Sequence, residues 1–199
     1  MNILYIDASV RPDSRTKRLA HHFFKGIEEL NANIKELYLT NACIPPLNRE
    51  SLEHRTKLSE EQNFDEPIFH YAKEYAAADM IVISAPYWDL SFPATLKTYI
   101  EAINVVGLTF IYNENGKPVG LCSAKKLVYI TTAGGKIISD EYGFGYIKEL
   151  ANKFHGIEDI EYIKAEELDI IGADVENIIE KIEKKIDKLT QDIVKEYKN

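Results

Sequence analysis

The sequence predicts an α/β domain: a doubly wound, five-stranded parallel sheet with helices on both faces. Two observations carry this expectation. Stretches such as MIVISAP (80–86) and LVYITTAGG (127–135) begin as short, continuous, β-branched apolar runs, as strands covered on both sides do. Between the runs, the apolar spacing switches to the helical period. Strand and helix then alternate about five times over 199 residues, the pattern of right-handed βαβ crossovers. No internal repeat, low-complexity tract or linker interrupts it, so residues 1–199 read as one domain.

The elements follow in order. Asn2 to Ile6 is the first strand, and Ser9 to Thr16 a polar loop. Leu19, Phe23, Phe24, Ile27 and Leu30 mark a helix that stops at Asn31 and Asn33. Ile34 to Leu39 is the second strand. NACIPPLNRES is irregular, because Pro45 and Pro46 forbid regular pairing. A helix runs from about Pro67 to Ala78, and the third strand is 80–86. PYWDLSFPA is a loop, followed by a helix through Leu96, Tyr99, Ile100 and Ile103 with Pro93 near its start. After the 127–135 strand and its glycine turn, a helix passes through Ile147, Leu150, Ala151 and Phe154. A strand near Ile160 to Ile163 comes next. The last helix runs from the N-cap Asp174 to near Tyr197. Its apolar positions Val175, Ile179, Ile182, Ile186, Leu189 and Ile193 form a heptad seam. A coiled coil would use such a seam, but this architecture needs its last helix to cover a sheet face.

Bulk properties narrow the function classes. A net charge of −8 argues against a protein that neutralises nucleic-acid phosphates. The start MNILYIDAS does not read as a signal peptide, and no apolar run approaches a membrane span, so the expected location is the cytoplasm. Cys43 and Cys122 form no C-x-x-C pair, so neither a zinc site nor a dithiol motif is indicated. Cys43 reads as a passive buried thiol. The five histidines show no ligand spacing and read as surface or packing residues; His155 stands out because it adjoins Phe154.

Open parallel sheets bind ligands at the carboxyl ends of their strands, and three loops leave such ends here. The first carries Ser9, Ser14 and Thr16 hydroxyls, the cations Arg11, Arg15, Lys17 and Arg18, and the free N–H groups of a helix start. Oriented donors, a positive helix end and nearby cations are what a phosphate needs. The second, Pro86-Tyr87-Trp88-Asp89-Leu90, offers aromatic and apolar surface. The third, Thr131-Thr132-Ala133-Gly134-Gly135, has two glycines that admit a flat group to the backbone. A phosphate joined to a flat heterocycle is a mononucleotide. Neither G-x-G-x-x-G nor G-x-x-x-x-G-K-[ST] occurs in the first loop, and flavin mononucleotide (FMN) fits best. The plain alternatives are a helix-capping loop, core aromatics and a tight turn.

S-x-R-x-x-S-x-T after the first strand, PYWDLSFPATLKTYIEAI after the third, GLTFIY, and TTAGG after the fourth stand in this order from Met1 to about Leu168. Together they resemble the FMN-dependent NADH:quinone oxidoreductases of the azoreductase family. The resemblance implies a flavodoxin-like fold and a homodimer with active sites at the subunit interface. It implies that Ser9, Ser14, Arg15 and Thr16 hold the FMN phosphate. Pro86, Tyr87, Trp88, Asp89 and Leu90 line the ribityl chain and ring, and Thr132, Ala133, Gly134 and Gly135 meet the ring's far edge. Tyr112 and Phe154 match positions that wall the substrate pocket of the neighbouring subunit. NADH or NADPH would give hydride to the flavin, and a quinone, azo compound or nitroaromatic would then accept two electrons, a ping-pong cycle. The cofactor carries that chemistry, so no catalytic acid or base is singled out.

Asp89 departs from an Asn of many relatives, Ala133 from an Arg of some, and Ile137 from a His. Two other functions compete with the enzyme. A flavodoxin-type electron carrier would dock on proteins and leave its flavin edge open. The long insertion Gly107 to Leu121 argues for the enzyme. A phosphoacceptor signalling domain would need an acidic cluster after the first strand, where only Asp7 stands.

Overall fold

The structure is a computed structural model that describes residues 1–198. The main strands are β1 (Asn2–Asp7), β2 (Asn33–Tyr38), β3 (Met80–Ser84), β6 (Lys126–Thr132) and β7 (Asp159–Ala165). They are all parallel, in the order β2-β1-β3-β6-β7. Chain order therefore reverses between β1 and β3, which places the ligand-binding crevice of such a sheet at their carboxyl ends. The five predicted strands are all present, in one flavodoxin-like sheet.

The period-2 alternation of each strand builds two cores. On one face, Ile3, Tyr5, Met80, Val82, Val128 and Ile130 pack under α1 (Arg15–Gly26) and α6 (Val175–Lys198). On the other, Leu4, Ile6, Ile81, Ile83, Leu127 and Tyr129 pack under α3 (His70–Ala77), α4 (Ala94–Ile103) and α5 (Phe144–Leu150). The seam of α6 is spent on the sheet and α1: Ile179, Ile182, Ile186 and Ile193 are buried there. The predicted cap Asp174 accepts the Asn177 N–H at 3.2 Å.

Several boundaries differ from the sequence reading. The first helix ends at Gly26, and Glu28–Leu30 is a separate 3-10 turn. The helix expected from Pro67 opens with a 3-10 turn, Pro67–Phe69. The helix expected through Phe154 ends at Leu150 and continues as a π-helical turn, Ala151–His155, closed by Gly156 at φ 75°. Helix α2 (Arg49–Glu60) was not anticipated. It buries only Leu58, so it carries almost no amphipathic signal. Its one local mark is the box in which Asn48 caps the Ser51 N–H and Ser51 returns a bond to the Asn48 N–H. The long insertion contains a small antiparallel hairpin, β4 (Phe110–Tyr112) and β5 (Pro118–Gly120). Cys43 is exposed, not buried: it lies in the irregular turn after β2, where its neighbour Ile44 takes the place against the core.

Candidate functional site

At the carboxyl ends of the strands lies a crevice of about 280 Å³. It is lined by Ser14, Arg15 and Thr16 from the first loop, Pro86, Tyr87 and Trp88 from the second, and Thr132, Ala133 and Gly134 from the third. These are nine of the thirteen residues expected to touch the cofactor. Ser9, Asp89, Leu90 and Gly135 belong to the same loops but stand outside the lining. Arg11, named in the sequence among the loop's cations, also lines the crevice; sequence reasoning missed Val10 and Asp13 as contacts, and a fourth loop bearing Leu168 and Asp169. That fourth loop follows β7, the neighbour of β6 in the sheet. The strand order alone, once drawn, points to it.

The loops are tied to one another by named bonds. Thr16, fully buried at the start of α1, meets Thr132 hydroxyl to hydroxyl at 2.6 Å. The Tyr87 N–H donates to the Thr132 carbonyl at 2.9 Å. The Asp169 N–H donates to the Gly134 carbonyl, also at 2.9 Å. The glycines divide their roles. A Cβ on Gly134 would lie 2.4 Å from the Asp169 carboxylate, so this glycine makes room for Asp169 and not for a ring. Gly135 faces open space, with nothing within 4 Å of a built Cβ.

The second loop is a tight reversal. Trp88 and Ser91 exchange both backbone hydrogen bonds, at 3.1 and 2.7 Å. Asp89 and Leu90 between them both have positive φ, 50° and 69°. Such a two-residue turn favours Asn, Asp or Gly at its first position. Asp89 therefore serves the backbone as an Asn would, which accounts for that departure. Leu90 has no such excuse and holds a left-handed conformation at a cost of about 1–2 kcal/mol. Trp88 and Leu90 are each 41% exposed, so this turn presents apolar surface at the crevice rim.

The cations of the first loop are largely committed elsewhere. Arg18 reaches Glu176 at 2.8 Å and Glu183 at 3.1 Å, which staples α1 to α6 and removes it from the site. Lys17 Nζ lies 3.7 Å from Asp7 and 4.3 Å above the Tyr38 ring. Arg15 pairs with Asp169 across the crevice at 2.7 Å. What remains is a donor-rich cradle. Helix α1 has no acidic residue in its first turn, Ser14 caps it, and the Ser9 hydroxyl is buried with no hydrogen-bond partner. An unpaired buried hydroxyl in the loop that leads into a helix start suits an anion, so the residues fit an FMN phosphate.

Tyr112 and Phe154 do not line this crevice. They gather instead around Phe110, whose ring centroid is 5.4 Å from Tyr112 and 5.0 Å from Phe154. Tyr112 is 53% exposed at the tip of the hairpin. Beneath it, His155 is buried, with Nε2 2.9 Å from Asn104 Oδ1 and Nδ1 3.0 Å from the Tyr75 hydroxyl. Burial lowers its pKa to about 4, so the ring is neutral at pH 7. His21, His54 and His70 are exposed and His22 is half-buried against Asp187, so no histidine joins the crevice.

Among the described residues no helix is long and apolar enough to cross a membrane, and no group of acidic, histidine or cysteine residues could hold a metal. A family model described as the flavodoxin-like fold matches residues 1–190. The chain is 36% identical over 198 residues to an FMN-dependent NADH:quinone oxidoreductase of Coprothermobacter proteolyticus, covering 95% of this chain and 98% of that one. It is 40% identical over 187 residues to an FMN-dependent NADH:quinone oxidoreductase of Clostridium acetobutylicum, covering 89% and 92%. Among solved structures it is similar to an azoreductase from Bacillus anthracis, with a TM-score of 0.83, 25% identity, and 95% and 98% of the two chains covered. The chain belongs to the family of FMN-dependent NADH:quinone oxidoreductases.

Proposed function

We propose that this protein is an FMN-dependent NADH:quinone oxidoreductase that takes its two substrates in turn at one crevice. The carrying observation is the convergence of the Ser14–Thr16 helix start, the Pro86–Trp88 turn and the Thr132–Gly134 segment on a single cleft. Ser9, Ser14, Arg15 and Thr16 would hold the phosphate. Pro86 to Leu90 would flank the ribityl chain and one side of the ring, and Thr132 to Gly135 the far edge. When bound, FMN supplies a two-electron centre that accepts hydride and reduces an acceptor. The chain's own part is to orient, to exclude water and to present the apolar rim of Trp88 and Leu90 to a flat substrate.

Quinones are the proposed acceptors, with azo compounds and nitroaromatics as further ones. NADH is the donor that the relatives' names support. The exposed hairpin residues Tyr112 and Ile111 suit a homodimer in which each hairpin walls the neighbour's crevice. A cytoplasmic location accords with two free cysteines. The purified protein is expected to be yellow, to release FMN on denaturation, and to give parallel double-reciprocal lines with NADH and a quinone. Converging lines would refute the alternating scheme, and a protein that neither holds nor takes up FMN would refute the whole reading.

A further inference from the structure

We propose that Asp7, buried beneath the first loop, is the positioning residue that shapes the phosphate cradle. The inference rests on the reading of that loop as the FMN phosphate site. Strand β1 points Ile3, Tyr5 and Asp7 to the same face, under α1. The first two are core residues; the third is a carboxylate only 2% exposed, where the strand pattern calls for an aliphatic side chain. Burying a carboxylate is unfavourable unless its lone pairs are used. They are used in a particular way. One oxygen, Oδ1, accepts both the Ser9 N–H at 2.8 Å and the Ser84 hydroxyl at 2.9 Å. The other, Oδ2, faces Lys17 Nζ at 3.7 Å.

The order of donors is fixed. Ser84 donates to Asp7, so Ser84 must accept from the Tyr5 hydroxyl, 2.9 Å away. Burial and the neighbouring Asp7 charge push the Tyr5 phenol up, which keeps its proton in place. Tyr5, Ser84 and Asp7 thus form a rigid chain across β1 and β3 that ends on the Ser9 N–H. That amide is turned inward and spent on Asp7. Ser9 is therefore left with one group to offer a ligand, its buried, unpartnered hydroxyl.

Of the loop's cations, Arg15, Lys17 and Arg18 already have carboxylate partners, which leaves the exposed Arg11 on the crevice lining and the loop's hydroxyls and N–H groups to fix the phosphate's place. Recognition of the phosphate then depends on where the loop's hydroxyls and N–H groups sit. Asp7 Oδ1 sets that at Ser9, through hydrogen-bond acceptance, with its charge answered by Lys17. Aspartate at this position links the ligand loop to the sheet's switch point.

The test compares FMN with riboflavin, which lacks the phosphate, on flavin-stripped protein by fluorescence titration. Asp7→Ala is expected to weaken FMN at least tenfold and leave riboflavin within about twofold. Asp7→Asn keeps the Oδ1 acceptor and should bind FMN within about threefold of the unmodified chain. Ser9→Ala should weaken FMN in the unmodified chain yet add nothing in the Asp7→Ala background. Equal FMN binding by Asp7→Ala, an Asp7→Asn protein no better than Asp7→Ala, or losses that multiply would overturn the proposal. Where Asp7→Ala does not fold, Asp7→Glu replaces it: the charge stays but the acceptor moves, and undiminished FMN binding would refute the assignment. An unmodified chain that binds neither flavin would refute the FMN reading instead.

Discussion

Two buried polar clusters flank this sheet, and they are built on opposite terms. Beneath the crevice, Asp7 gathers Ser9, Ser84 and Lys17, and the cluster ends on a loop that offers an unpaired hydroxyl. Beneath the hairpin, Tyr75, His155 and Asn104 close on themselves. With Asn104 Oδ1 accepting, His155 Nε2 carries the proton and Nδ1 accepts from Tyr75. The first is charged and left incomplete at its outer end; the second is neutral and complete. A cluster that meets a ligand keeps a donor unspent, whereas one that fastens elements together turns its buried groups on one another. His155 joins the ends of α3, α4 and the π-helical turn, at the root of the inserted hairpin.

If that contrast is right, the largest stability loss comes from opening the closed cluster. His155→Leu strands the Tyr75 hydroxyl and the Asn104 carbonyl, each at about 1–3 kcal/mol. We expect a loss of roughly 2–6 kcal/mol in urea unfolding, with FMN affinity unchanged. A loss of FMN at full stability would erase the distinction between the two clusters.

The same histidine sets a pH response. Its folded pKa of about 4 lies below its ordinary 6.5. A depressed pKa means that the folded state binds fewer protons, so the stabilisation is complete above pH 6.5. It is lost as pH falls through about 4. The shift corresponds to about 3 kcal/mol over that window. Stability measured between pH 7 and pH 4 should fall for the unmodified chain and fall less for His155→Gln. Identical slopes would mean that other groups carry the acid sensitivity.

The sheet and most of the crevice were legible because their signals are local. β-branched apolar runs specify covered strands, and hydroxyls before a helix specify a cap, whatever lies elsewhere in the chain. The sequence reading failed where meaning depends on a distant partner. Arg18 looks like a phosphate cation until α6 brings Glu176 and Glu183 to it. Asp169 could not be placed in the crevice without knowing that β7 lies beside β6. Helix α2 has a capping box but one buried side chain, so periodicity said nothing. Gly134 read as room for a ring, whereas its neighbour Asp169 fills the space.

The crevice itself can be probed at its two ends. Ser14→Ala removes the cap of α1 and a proposed phosphate donor together. FMN retention should weaken by about 1.5–3 kcal/mol for the lost charge-assisted bond, and unchanged retention would mean that the phosphate sits elsewhere.

The smallest effect separates strain from binding. Leu90 holds φ 69° in a turn that a glycine would adopt freely. Leu90→Gly should therefore raise stability by about 1 kcal/mol, read as a higher midpoint in urea. Backbone strain of this kind persists where a site needs the side chain more than the fold does. Leu90 is 41% exposed, so its removal forfeits little core packing. The gain in stability should come with weaker flavin retention or a higher KM for the quinone. A variant that is more stable and fully active would show that the strained turn serves no ligand.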